Sequence, residues 1–192
     1  MRKLIFYVLS ASMMSGTLMA QVEPGAGKWK TWVISSGSTF RLPAPPDSEI
    51  TARELRWVKD CISQRDQTAL ASIRYWDAGS PGYRWMQLAQ QSVVTAGLPA
   101  PLQTRARALV AAAISDATVA AWDSKYAYNR PHPGDLDSAV VPAVAVPQNP
   151  SYPSEHAVTA GAAAAVLEYL FPGFSSRGSS KSIWRSSRTI ST

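Results

Sequence analysis

Apolar residues recur at helical spacing along most of the chain, so the sequence predicts a bundle of helices. The first pattern begins where Asp47 or Ser48 can cap a helix, and it ends near Ser63. Gly97 is placed to close the third pattern, and Ser154 to cap the last. The predicted helices cover 49–63, 67–76, 83–95, 102–128 and 155–170. The predicted class is therefore all-α, a helical bundle.

Two other segments lack this period. Residues 21–47 are rich in Gly, Pro and Ser, which predicts an extended N-terminal arm rather than a fold of its own. We expect its aromatic residues Trp29, Trp32 and Phe40 to dock on the helices. Residues 139–147 are apolar but contain two prolines, so they predict an irregular connection. The predicted helical domain is 48–173.

The two ends of the chain differ in composition from the helical part. Residues 1–20 combine Arg2 and Lys3 with an apolar run and small residues, which is typical of a secretory signal peptide. We therefore expect a periplasmic or secreted protein with no stable membrane insertion after cleavage. Residues 174–192 are rich in Ser, contain four basic residues and no acid, and predict a disordered tail.

The charge and the cysteine count narrow the possible partners. The formal net charge of +6 favours anionic partners, including phosphate esters or membrane surfaces, although much of the excess lies in the two ends of the chain. No basic stripe is interleaved with aromatic residues, so a nucleic-acid partner is not expected. Cys61 is the single cysteine, which excludes an internal disulfide and a zinc site built from several cysteines.

Two short segments contain the candidate chemistry. Lys125, Arg130 and His132 lie at and just beyond the end of the longest predicted helix, while Ser154 and His156 open the last one. The start of a helix has free N–H groups and a positive dipole end, which attract anions. The residues alone therefore predict an oxyanion site, most naturally for phosphate. On this basis His156 is either a proton donor or a plain capping-region residue.

Acidic residues on the longest predicted helix admit two interpretations. Asp116 and Asp123 are either solvated or paired with Arg105, Arg107 or Lys125. Asp123 is close enough in sequence to orient Lys125, but we expect a structural role for it.

At these segments the chain resembles the type 2 phosphatidic acid phosphatase and vanadium haloperoxidase superfamily, whose signature has three parts. The run Trp-Asp-Ser-Lys-Tyr-Ala-Tyr-Asn-Arg-Pro at 122–131 resembles the first part, Lys followed by Arg-Pro. Tyr-Pro-Ser-Glu-His-Ala at 152–157 resembles the second, Pro-Ser-Gly-His. The third part, Ser-Arg followed by His and Asp, is not found. The expectation is a bundle incomplete at the C-terminus through truncation or a frameshift.

The resemblance implies a role for each candidate residue. Lys125 and Arg130 would hold phosphate or vanadate oxygens, with His132 the alternative to Arg130, which is favoured on charge. Ser154 and the backbone N–H of Glu155 would bind further oxygens. His156 would be the general acid. Glu155 replaces the usual Gly, so its carboxylate is expected to turn away from the anion.

The implied activity is phosphate monoester hydrolysis without a metal or cofactor, on a small phosphorylated substrate. The alternative is a vanadium haloperoxidase-like protein, which would bind vanadate. The signature residue that attacks phosphorus or binds vanadium is the missing His of the third part. A third interpretation is therefore a non-catalytic remnant that only binds phosphate. A fourth is an exported protein that only binds a partner, with no anion site.

Overall fold

The chain is built from α-helices, as the periodicity predicts. The computed structural model describes residues 23–172 and 174, so the predicted signal peptide and nearly all of the predicted tail lie outside the described residues. Within that part every regular element is helical. The helices are α1 (Ser48–Ser63), α2 (Gln67–Asp77), α3 (Tyr83–Thr95), α4 (Ala100–Tyr128), α5 (Pro133–Leu136) and α6 (Glu155–Leu170).

Local signals set the helix ends. The Asp47 carboxylate accepts the backbone N–H of Ile50 at 2.9 Å, so Asp47 and not Ser48 caps α1. Ser154 caps α6 in the same way, accepting the N–H of Ala157 at 3.3 Å. The last turn of α4 ends at Asn129, whose left-handed backbone (φ 51°) turns the chain sharply. This turn begins the segment that the resemblance marks as functional.

The hydrophobic core lies between α3, α4 and α6, and α2 closes it with Trp76. The rings of Trp76 and Trp85 are 5.6 Å apart between centroids, and Leu167 of α6 is fully buried in the same cluster. A small residue lets two helices approach closely, and fully buried Ala163 does so for α6. The core therefore fixes α6 against α4.

The N-terminal arm packs along α4 through its backbone. It contains two short 3-10 helices, Pro24–Lys28 and Gly37–Phe40. The buried carboxylate of Asp116 accepts the backbone N–H groups of Trp32, Val33 and Ile34 at 2.7, 2.6 and 3.1 Å. Burial raises the pKa of this carboxyl and the three hydrogen bonds lower it, with a net lowering. Asp116 thus holds the arm and is not paired with Arg105 or Arg107.

Close backbone approach completes the docking of the arm. A Cβ atom at Gly27 would lie 2.5 Å from the backbone nitrogen of Asp123, so only glycine fits there. The Asp123 carboxylate accepts two hydrogen bonds from Arg41, at 2.7 and 2.9 Å, which gives it the expected structural role. The prediction that aromatic residues dock the arm is wrong: Trp32 is 75% exposed, and Trp29 and Phe40 are also exposed.

An apolar cavity of about 630 Å³ lies between α4, α6 and the arm. Alanines of α4 line it, together with the exposed side chains of Val33, Phe40 and Tyr169. Asp116 and Arg105 reach its wall, but the carboxylate is already bonded to the arm. Among the described residues, no helix is long and apolar enough to cross a membrane.

Candidate oxyanion site

Hydrogen bonds between two irregular segments bring the end of α4 beside the start of α6. The backbone N–H of Ser151 donates to the carbonyl of Arg130 at 2.9 Å, and its hydroxyl donates to the carbonyl of Pro131 at 2.7 Å. The ring Nε2 of His132 lies 2.7 Å from the carbonyl oxygen of Asn149. The two signature-like segments, 122–131 and 152–157, therefore meet at one place.

Five of the six predicted site residues line one pocket of about 180 Å³ at this junction. They are Lys125, His132, Ser154, Glu155 and His156. The apolar connection 142–147 forms the opposite wall, as an irregular segment over the bundle. This volume suits a small ion with its immediate partners rather than a large organic ligand.

Lys125 is buried in the last turns of α4, with 2% of its surface exposed. Its ammonium donates to Asn149 Oδ1 at 3.1 Å and to the carbonyl of Pro150, and it lies 3.5 Å from Glu155 Oε1. Burial lowers the pKa of Lys125, and the charge of Glu155 opposes that shift. The Lys125 ammonium therefore already has two hydrogen-bond acceptors and one ion-pair partner.

His156 lies in the first turn of α6, where the ring faces the pocket. Its Nε2 is buried and has no hydrogen-bond partner within the described residues. Burial lowers the pKa of His156, while the charges of Asp77 and Glu155 and a hydrogen bond to the backbone of Trp76 oppose that shift. The ring is therefore neutral near pH 7. A buried polar atom without a partner costs free energy, so this nitrogen is a candidate ligand contact.

Asp77 is a pocket residue that the sequence did not single out. It ends α2 and lines the pocket together with His156. Burial raises the pKa of its carboxyl, and the interaction with His156 lowers it. In the sequence Asp77 begins a Gly- and Pro-containing turn, so no local signal separates it from an ordinary turn residue. Only the packing of α2 against α6 brings it to the site.

Arg130 is placed differently from the other predicted residues. Its guanidinium donates to Glu54 Oε2 of α1 at 2.8 Å and to the Thr51 hydroxyl at 3.1 Å, and it lies near the Tyr152 ring. It is not among the described residues that line the pocket, whereas His132 is. The preference for Arg130 over His132 on charge is therefore not supported by this geometry.

Glu155 also differs from expectation. The prediction that its carboxylate turns away is wrong, because Oε1 faces the Lys125 ammonium and accepts a hydrogen bond from Asn149 Nδ2 at 2.9 Å.

Within the described residues, no group of three or more His, Cys, Asp or Glu side chains could hold a metal ion.

Comparison with known proteins adds the fold relationship. No protein-family model matches the chain, and no curated protein matches it. Among solved structures, a bacterial vanadium-dependent iodoperoxidase superposes with a TM-score of 0.72 at 24% sequence identity. The match covers 82% of this chain and 43% of that one, so the chain spans less than half of the enzyme's length. The chain thus has an all-helical fold like that of this haloperoxidase, as the sequence predicts.

Proposed function

We propose that the pocket between α4 and α6 binds a tetrahedral oxyanion, and that the protein is haloperoxidase-like with vanadate as the bound ion. The observation that carries the proposal is the buried Nε2 of His156, which faces the pocket at the start of a helix beside Ser154. The fold shared with a vanadium-dependent enzyme supports vanadate over other oxyanions.

Most of the hydrogen-bond donors in the pocket suit a tetrahedral oxyanion. The Ser154 hydroxyl accepts the cap hydrogen bond and keeps its own proton to donate. The N–H groups of Glu155 and His156 lie in the first turn of α6, before its first intrahelical bond from Val158 to Ser154. Lys125 does not fit as placed, because Asn149, Pro150 and Glu155 engage its ammonium.

His156 has a chemical role that follows from its surroundings. Because its pKa is lowered, the ring is neutral near pH 7, and the hydrogen bond to the Trp76 backbone leaves Nε2 to meet a ligand hydroxyl. Nε2 can accept that proton and return it, and the nearby charge of Asp77 stabilises the protonated ring. Vanadate, when bound, would supply the peroxide-dependent oxidation of a halide.

Hydrolysis of a phosphate monoester is the second candidate, since phosphate, like vanadate, is a tetrahedral oxyanion and requires the same hydrogen-bond donors. His156 Nε2 would first take a proton from a hydroxyl of the bound phosphate and then give that proton to the leaving group. The pocket residue His132 is a poor nucleophile, because its Nε2 is engaged with the Asn149 carbonyl. The geometry therefore favours oxyanion binding over self-sufficient hydrolysis by the described residues.

Binding and turnover of the purified chain test the proposal separately. Vanadate and phosphate are titrated by calorimetry, iodide oxidation by peroxide is followed as triiodide absorbance, and p-nitrophenyl phosphate reports hydrolysis. We expect vanadate binding that His156→Ala weakens at least tenfold, about 1.4 kcal/mol. Tyr169→Ala is the matched control, since Tyr169 lies on the same helix, 78% exposed and away from this pocket. Absence of binding of both oxyanions by the folded chain would overturn the proposal.

A further inference from the structure

The partners of Lys125 differ in charge. A buried ammonium is stable only beside groups that replace its hydration and balance its charge. Asn149 and the Pro150 carbonyl replace hydration but are neutral. Glu155 supplies the negative charge, at 3.5 Å from Nζ, and its own side chain is largely buried. The described residues thus give Lys125 an internal counter-ion.

Asn149 fixes the Glu155 carboxylate in this position. Its Nδ2 donates to Glu155 Oε1 at 2.9 Å, while its Oδ1 accepts from Lys125 at 3.1 Å. The carboxylate also lies in the first turn of α6, where the dipole favours negative charge. Glu155 therefore has the surroundings that an oxyanion would need: an ammonium, an amide N–H and a helix start.

We infer that the Glu155 carboxylate holds the place of the oxyanion, so that the oxyanion affinity of the pocket is set by displacement of this side chain. The inference rests on the proposed function. It assigns Glu155 as the residue that determines whether Lys125 is available to a ligand. Two anions cannot share one buried ammonium without strong repulsion at short distance in a poorly solvated site. An incoming oxyanion therefore binds only as the carboxylate leaves.

Displacement of the Glu155 carboxylate leaves the other anion-binding groups in place. The backbone N–H of residue 155 stays at the helix start whatever its side chain does. Ser154 and His156 hold their positions through the cap and the ring contacts rather than through Glu155. Removing the carboxylate should therefore raise affinity rather than destroy the site.

The test compares two variants with the wild type. Glu155→Gly removes the side chain, and Glu155→Gln keeps its size without its charge. Affinity for phosphate and for vanadate is measured by calorimetry on each folded protein. We expect Glu155→Gly to bind about 10- to 100-fold more tightly than wild type, roughly 1.4–2.8 kcal/mol, with Glu155→Gln between the two. Glu168→Gln makes the same charge change at an exposed position of α6 and should bind like wild type.

Thermal unfolding provides a second readout. Without its counter-ion, Lys125 should destabilise Glu155→Gln, and added phosphate should raise the Tm of this variant more than that of wild type, by mass action. Affinities that equal wild type in both variants would overturn the inference and leave the proposed function standing. Weaker binding by both folded variants would show that Glu155 assists the anion and would also overturn it. Absence of binding in every protein would overturn the proposed function as well.

Discussion

Substitution of Asp116 by Asn should release the N-terminal arm from α4. The carboxylate accepts three backbone N–H groups with two oxygens, one oxygen serving Trp32 and the other serving Val33 and Ile34. An amide keeps one acceptor oxygen and turns an NH₂ group towards the remaining donors. Hydrogen bonds to a charged acceptor contribute about 1.5–3 kcal/mol each. At least one of these hydrogen bonds is lost and the others weaken, so we expect the free energy of unfolding to fall by about 2–4 kcal/mol.

The same prediction has a pH dependence with a definite sign. The pKa of Asp116 is lowered in the folded chain, so its contribution is present above the ordinary carboxyl value near 3.8 and is lost as the pH falls through the folded value. The stability difference between wild type and Asp116→Asn should therefore be full at pH 7 and shrink in acid below about pH 4.

Urea unfolding followed by circular dichroism at several pH values measures both effects. Asp60→Asn, at an exposed position of α1, controls for the chemical change itself. Equal stability of Asp116→Asn and Asp60→Asn at pH 7 would refute the reasoning. So would a deficit that does not change between pH 7 and pH 3.

Four further predictions concern single positions. Gly27→Ala should displace the arm, because its Cβ would lie 2.5 Å from the α4 backbone, and limited proteolysis would detect the released arm. Gly161→Ala should instead stabilise α6 by about 0.5–1 kcal/mol in urea unfolding, because its Cβ meets no described atom within 4 Å. Leu167→Ala should cost about 2–5 kcal/mol in urea unfolding, because the side chain is fully buried, and a cost below ~1 kcal/mol would contradict its place in the core. Wild-type stability should rise as the pH increases towards the ordinary histidine value near 6.5, because burial lowers the pKa of His156 and the folded chain binds fewer protons just below that value. Unfolding curves of His156→Gln should lack this rise; the same slope in both proteins would show that another group causes it.

Much of the helical fold could be predicted because its signals are local. Asp47, Gly97 and the Pro-rich breaks act within one turn of the helices they bound, so the predicted limits of α1, α3 and α6 agree with the structure within a residue. The period of α4 predicts its end correctly, but the helix begins two residues earlier than predicted, at Ala100. The four-residue α5 was missed because so short an element has no period to detect.

The candidate site was only partly predictable, since some of its contacts depend on packing. The meeting of Lys125 with Ser154 and His156 followed from the two signature-like segments. The ion pair of Arg130 with Glu54 depends on where α1 lies, and no local pattern in the sequence reports that. The direction of Glu155 was misjudged because only repulsion from a bound anion was considered, and not the charge that Lys125 needs when buried.

The docking of the arm also has a consequence for the order of folding. Its hydrogen bonds to α4 join residues 82–99 positions apart in the chain, whereas the helices form from neighbouring residues. Closing so large a loop is entropically slow, so the arm should dock after the transition state has formed. Loss of an arm contact, as in Asp116→Asn, should then speed unfolding and leave the refolding rate nearly unchanged. Stopped-flow refolding would place the arm, which precedes α1 in the sequence, among the last of the described segments to become ordered.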